Sequence, residues 1–216
     1  RSVKSVKGFK AMFSKVTVII PSRGRQECLG DTLASILRQT RQPDLLILSV
    51  TRKQDLPYNH YAIKTQVAYS PPGSSVQRNI GINLSCNHSM LIFLDDDVEL
   101  RPDFIEQAVK IYLEHPSAII LTGRMIANGK PNGAALSRSE ALELVDKDLT
   151  MNASRENTFA VHSAFGGLMV FRRSLAPHLR FDERMKNYAY LEDYDFSRRA
   201  ACYGEILEIP SAALVH

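Results

Sequence analysis

The chain has 216 residues, 44% of them hydrophobic and 23% charged, which suits one soluble globular domain with one sizeable core. Its 27 basic and 23 acidic residues leave a formal charge of +4 with no run of Lys or Arg, so a nucleic-acid partner is not expected. No apolar run approaches the roughly 20 residues that cross a bilayer, and the opening RSVKSVKGFKAM lacks the apolar centre of a signal peptide.

Val16 to Ile20 is a β-branched run closed by Pro21-Ser22-Arg23-Gly24, which predicts a buried strand ending in a loop. Leu29, Leu33, Ile36 and Leu37 then recur at helical spacing, predicting a helix that ends before Pro43. Asp44 to Val50 reads as a second buried strand and Thr65 to Tyr69 as a shorter third. Ser74 or Ser75 can cap a helix carrying Val76, Ile80 and Leu84, and Met90 to Leu94 follows as strand four.

Pro102 suits the first turn of a helix, and Phe104, Ile105, Ala108, Val109, Tyr112 and Leu113 form its apolar stripe as far as His115-Pro116. Ala118 to Thr122 is another strand. From Gly123 to Ala160 the pattern dissolves into Gly, Asn, Ser and charged residues, with one weak helical patch at Glu140 to Val145; a mobile loop over a site is expected there. Phe165 to Phe171 predicts a strand and Glu192 to Tyr203 a helix stopped by Gly204. Short strands are expected near Ile206 to Ile209 and Ala213 to Val215.

Strict alternation of strand and helix over the first 120 residues predicts an α/β fold with a mostly parallel sheet and helices on both faces. Such sheets bind ligands at the carboxyl ends of their strands. Strand four ends there in Asp95, Asp96 and Asp97 with no cation beside them. Side chains of an extended chain alternate, so Asp95 and Asp97 project to one side and Asp96 to the other. Two carboxylates about 5 Å apart repel by roughly 3 kcal/mol at an effective dielectric near 20, a cost that water at a solvated strand end or a divalent cation can offset. An oxygen-rich set suits Mg²⁺ or Mn²⁺, ions that also hold substrate phosphates.

Taken in order, VTVIIPSRGR, VQRNIGINLS, LIFLDDDVEL, FGGLMVFRR and FDERMKNYAYLEDYDFSRRA resemble the blocks of glycosyltransferase family 2 with the GT-A fold, over nearly the whole of Val16 to His216. The resemblance implies a single GT-A domain, with a nucleotide-sugar-binding half at about 16–100 and an acceptor-binding half at about 101–216. It implies inverting transfer of a sugar to a hydroxyl acceptor, a saccharide or glycolipid, in polysaccharide, lipopolysaccharide or glycoconjugate synthesis.

The aspartate block then matches the family's DxD motif, with Asp97 as metal ligand for Mn²⁺ or Mg²⁺ and Asp95 or Asp96 on the ribose. Pro21, Ser22 and Arg23 fall where the first loop meets the nucleotide, and Arg78 matches the Arg of an RN pair near base and ribose; a solvated helix position is its alternative. Gly166 and Gly167 match a strand lining the acceptor and donor-sugar pocket, although bulges and tight packing also place glycines in strands. Asp193 matches the general base of the ED motif with Glu192 in reserve, while acidic residues opening a helix can also serve only its N-terminus. His216 matches a late His that completes the metal shell in some members. His60, His88, His115, His162 and His178 show no ligand spacing.

The chain departs from the family after strand two, where two acids and Gly-Ser are usual and Ser49-Val50-Thr51-Arg52 stands instead. Thr51 is therefore the nucleotide-side candidate there, and a UDP, GDP or dTDP donor is equally admissible. A non-catalytic nucleotide-sugar-binding module is an alternative, as is sugar-phosphate nucleotidyl transfer, although PSRGR holds one Gly where a phosphate loop wants several. Cys28, Cys86 and Cys202 are odd in number and far apart, which favours a reducing, cytoplasmic setting. The lack of an initiator Met and the end at Val215-His216 suggest part of a longer protein. Membrane association, at the inner face, is expected only through segments outside it.

Overall fold

The computed structural model describes residues 15–58, 63–85, 90–151, 157–186 and 189–216. Cys86, His60, His88 and the opening stretch through Ser14 lie outside the described residues. The elements are β1 (Val16–Ser22), α1 (Gln26–Leu37), β2 (Leu45–Val50), β3 (Thr65–Tyr69), α2 (Ser74–Leu84), β4 (Met90–Leu94), β5 (Glu99–Leu100) and α3 (Phe104–Glu114). They continue with β6 (Ala118–Ala127), α4 (Arg138–Met151), β7 (Phe159–Ala160), β8 (Leu168–Arg172), α5 (Glu192–Ala200) and β9 (Glu205–Val215). Among the described residues no helix is long and apolar enough to cross a membrane.

The strands form one sheet in the order β3-β2-β1-β4-β8-β6-β9-β5, with β7 added on β9. Its first half, β3-β2-β1-β4, is entirely parallel, as the alternation of strands and helices predicts. The second half is mixed. β8 enters antiparallel between β4 and β6, whereas β6 and β9 run parallel. The alternation stops at β6, so the sequence pattern carried no information about where β8 would insert.

Both faces are covered because the central strands are apolar on both sides. Val16, Val18 and Ile20 of β1 pack with Leu29, Leu33 and Ile36 of α1 and Phe104, Ile105 and Ala108 of α3. Ile19, Ile47, Leu91 and Phe93 face the other way, against Ile82 of α2 and Phe196 and Ala200 of α5. Phe196 anchors α5 by stacking on Phe181 at 4.1 Å between centroids and meeting Phe171 edge-on at 5.2 Å. That anchoring decides where the acidic start of α5 lies.

Four local expectations change. Neither Ser74 nor Ser75 caps α2; Gly73 does, at φ 145°, and its N–H donates to Gln77 Oε1 at 3.3 Å. Gly166 and Gly167 form a turn before β8 rather than part of the strand. The two short strands expected near the end are one strand, β9, whose register with β6 shifts between Gly123 and Arg124. The largest change is at 123–160, where β6 extends to Ala127 and the weak helical patch expected at Glu140 to Val145 is part of a full helix, α4, running to Met151. The helix is held at its start by a capping box, Ser137 N donating to Glu140 Oε2 at 2.8 Å and Glu140 N to Ser137 Oγ at 3.3 Å. Its buried face is Ala141, Val145 and Asp148. The third of these is a carboxylate, accepting from Arg124 at 2.7 Å and Arg101 at 3.1 Å, so the helix has no three-turn apolar stripe.

Gly81 supplies a test of the α2–β1 contact. A Cβ built there would overlap the Ile19 side chain. Gly-to-Ala in a helix gains about 1 kcal/mol of propensity, while overpacking a core costs about 1–3 kcal/mol. Gly81→Ala is expected to lower the thermal midpoint, measured by calorimetry; a rise would show that the interface has room to give.

Candidate active site

The carboxyl ends of β1, β4 and the β8 turn meet the start of α5 around a cavity of about 540 Å³. Its lining includes Pro21, Ser22, Arg23, Arg78, Asp95, Asp96, Gly166, Gly167, Glu192 and Asp193, ten of the positions singled out from sequence. Asp97 and His216 line an adjoining cleft of about 480 Å³. Thr51 lines neither; its hydroxyl donates to Asp55 Oδ2 at 2.6 Å.

After β4 the backbone leaves the strand and turns, yet the three aspartates separate as an alternating chain would place them. Asp96 is buried and accepts from Ser22 Oγ at 2.5 Å. Asp95, Asp97 and His216 bring ligand atoms within 4.8 Å of one another, all three residues half-buried. The sheet delivers His216, because β9 pairs with both β6 and β5 and ends beside the chain leaving Asp97. That chain is itself pinned to α1: the Thr32 hydroxyl donates to Val98 O at 3.1 Å and accepts from Val98 N at 3.0 Å, and Leu100 N donates to Ser35 Oγ at 2.7 Å. His216 Nε2 lies 3.2 Å from Asp97 Oδ1, while Nδ1 faces Asn128 Oδ1 at 2.9 Å. Two carboxylates and an imidazole in reach of one point fit Mn²⁺ or Mg²⁺.

Arg78 is not a solvated helix residue. Its side chain is 3% exposed, donates to Asp95 Oδ1 at 2.9 Å and pairs with Glu192. One guanidinium thus joins the end of β4 to the start of α5. Glu192 is buried in this pair; burial pushes its carboxyl up, opposed by the Arg78 charge and reinforced by Asp193. Asp193 faces the cavity, with Oδ2 accepting from Gly166 N at 2.8 Å and Oδ1 from Tyr194 N at 2.7 Å.

The glycines before β8 are explained by close approach. A Cβ on Gly167 would overlap the Asp95 carboxylate, and one on Gly166 would meet Asp193 Cβ at 3.1 Å and Arg78 at 3.2 Å. Tight packing and a place beside the polar groups of the cavity are here the same property.

Three residues with a part in this arrangement were not marked by the sequence reading. Arg25 pairs with Asp96 and reaches Asp97 Oδ2 at 2.6 Å. A cation at the N-terminal end of a helix runs against the helix dipole, and that anomaly was the available signal. Asp55 is fully buried and accepts from Gly24 N at 3.0 Å and from Thr51 N and Arg52 N at 3.1 Å, tying the loops after β1 and β2 together. Gln77 does similar work, donating to Ser22 O at 3.1 Å and Ser49 O at 2.6 Å. Neither carried a spacing that could have been read.

An acidic cavity thus lies at the carboxyl ends of a nine-stranded sheet flanked by helices, the architecture of GT-A glycosyltransferase structures. The structure is similar to that of GalNAc-T7 with UDP, GalNAc and Mn²⁺, at a TM-score of 0.68 and 15% identity over 94% of this chain and 43% of that one. Similarity to S. aureus TarS 1-349 in complex with UDP gives a TM-score of 0.64 and 15% identity over 94% and 60% of the two chains. A further S. aureus TarS structure gives 0.64 and 16% over 93% and 36%. The chain therefore spans less than two thirds of each of these proteins. No curated protein matches its sequence. The family model for glycosyl transferase family 2 matches residues 17–180, and the chain belongs to that family.

The His216–Asp97 contact has a pH signature. The hydrogen bond from His216 to Asp97 and the nearby acidic charge raise the imidazole above its ordinary value despite burial. A raised His stabilises the fold fully below its unfolded value of about 6.5 and loses that contribution as pH rises through the folded value. Without divalent ions, the thermal midpoint of the wild-type chain should exceed that of His216→Gln at pH 6, and the gap should shrink toward pH 9. A constant gap would remove the charged contact from the account.

Proposed function

We propose that the chain is a metal-dependent, inverting glycosyltransferase domain that moves a sugar from a nucleotide-sugar donor to a hydroxyl acceptor. The observation supporting this most directly is Arg78, which gathers Asp95 and Glu192 into one cavity and leaves Asp193 facing it. A pocket built only to hold a nucleotide has no need of a carboxylate beyond the ribose and metal groups.

In this reading residues 16–100 form the donor half and 101–216 complete the acceptor side. Ser22 and Arg23 border the nucleotide, Asp95 or Asp96 meets the ribose, and Asp97 with His216 holds Mn²⁺ or Mg²⁺. The bound ion supplies positive charge against the departing nucleoside diphosphate. Asp193 accepts the proton of the acceptor hydroxyl as that oxygen bonds to the anomeric carbon; the bond from that carbon to the diphosphate breaks, its electron pair leaving with the diphosphate. Glu192, already paired with Arg78, holds α5 rather than moving a proton. The Mn²⁺ and UDP in the GalNAc-T7 structure and the UDP bound to TarS favour an ion of this class and a UDP donor. GDP and dTDP donors remain the alternatives, because Thr51 is turned to Asp55 and no acid stands at its position. Exposed Tyr190 and Leu191 edge the cavity beside Asp193 and suit a saccharide or glycolipid acceptor.

Two measurements test the reading. In a thermal-shift screen of UDP, GDP and dTDP, one nucleotide should raise the midpoint with Mn²⁺, the shift should vanish on chelation, and Asp97→Ala should lose it. Asp193→Asn should keep that shift while transfer falls by roughly 10²- to 10⁴-fold, the usual worth of a general base. Undiminished transfer would remove Asp193 from the mechanism.

A further inference from the structure

Arg25 occupies an unusual place. Its side chain stands where the two cavities meet and belongs to the lining of both, with Ser22, Arg78 and Asp95 on one side and Asp97, His216 and Asn128 on the other. It pairs with Asp96 and with Asp97 Oδ2, while Oδ1 of Asp97 faces His216. The partners differ in freedom. The Asp96 side chain is 2% exposed and held by Ser22, whereas the Arg25 side chain is 50% exposed and rooted at the cap of α1, with no capping bond of its own. Of the groups in this contact, the guanidinium is the one that can move without unmaking the core.

Both carboxylates that Arg25 grips belong to the acidic tip assigned above to the ribose and the metal. A dication at Asp97 and His216 would repel the guanidinium and compete for the same carboxylate. The same fork, once released from Asp97, faces the cavity in which a diphosphate would lie, and a guanidinium binds phosphate oxygens in pairs. Arg25 also sits against the favoured sign of a helix start, a placement that a purely structural cation would avoid.

We infer that Arg25 is an exchanging cation: it neutralises Asp96 and Asp97 in the ligand-free protein, gives up Asp97 when the metal site fills, and turns its guanidinium onto the diphosphate of the donor. This rests on the metal-dependent donor site proposed above and adds to it a residue that opposes one ligand and favours the other. The consequence is a pair of effects of opposite sign. Removing Arg25 takes away the metal's competitor and also the phosphate's partner. A residue that merely holds the loop in shape would, on removal, weaken both.

The test measures binding and needs no turnover. Mn²⁺ affinity is measured without nucleotide, from the electron-spin-resonance signal of the free ion, and UDP, GDP and dTDP affinity is measured by calorimetry at saturating Mn²⁺. For Arg25→Ala, Mn²⁺ should bind about 3- to 10-fold more tightly, and the nucleotide that the wild-type chain binds should bind roughly tenfold more weakly, the scale of one lost charge-assisted pair. Should Arg25→Ala fail to melt cooperatively, Arg25→Lys carries the same measurements with the same signs and smaller changes, because an ammonium cannot fork across two carboxylates. Affinities that fall together, or either one unchanged, overturn the inference while leaving the donor site intact. A wild-type chain that binds none of the three nucleotides with Mn²⁺ overturns the donor site and the inference with it.

Discussion

Asp95, Asp96, Asp97, Glu192 and Asp193 stand around one pair of adjoining cavities, and the guanidinium groups of Arg25 and Arg78 pair with the first four of them. Each close pair of like charges costs kilocalories at protein dielectric, so the cluster is tolerable only where donors or cations reach it. The structure meets the cost unevenly. Asp96 is buried and hydrogen-bonded, its carboxyl pushed up by burial against the pull of Ser22 and Arg25. Burial works against Asp97 too, but the hydrogen bond and charge of His216, with Arg25, outweigh it and hold that carboxyl below its ordinary range. Two neighbouring aspartates are thus shifted in opposite directions, Asp96 upward by burial and Asp97 downward by His216 and Arg25.

How much of this could be read from the chain follows from which interactions leave a periodic trace. β1 to β4 and their helices were legible because a strand buried on both faces reads as an unbroken apolar run and its helix as a stripe. The same period-two alternation placed Asp95 and Asp97 together and Asp96 apart, and the structure keeps that division through a turn. Arg78 and Asp193 were legible only through ordered family blocks, because nothing in VQRNIGINLS shows that the Arg points inward to a carboxylate 114 residues away.

The misses share a cause. α4 turns a carboxylate toward the core, β8 inserts antiparallel after the strand–helix alternation has ended, and Arg25 acts through partners 71 and 72 positions on. Long-range ion pairs have no period, so a polar residue satisfied by a distant partner reads as surface. The capping box at Ser137 and Glu140 was visible in SRSE and would have strengthened the helix, but a cap alone does not fix length.

The position of Asp193 depends on stored backbone strain. Ala189 and Leu191 precede it at φ 50° and 70°, left-handed values that cost an L-residue roughly 1–2 kcal/mol each. The turn survives because it is tied at each step: Ala189 N donates to Lys186 O at 3.0 Å, Glu192 N to Ala189 O at 2.9 Å, and Asp195 N to Leu191 O at 3.0 Å. Beneath it Phe196 is stacked into the aromatic cluster, and above it the Glu192 side chain is drawn to Arg78. The strained turn aims Asp193 back over Gly166, whose N–H donates to the carboxylate at 2.8 Å and where a Cβ would crowd Asp193 Cβ at 3.1 Å. Arg78 therefore fixes Asp95 directly and Asp193 through Glu192, and a disturbance at one acidic centre must be felt at the other.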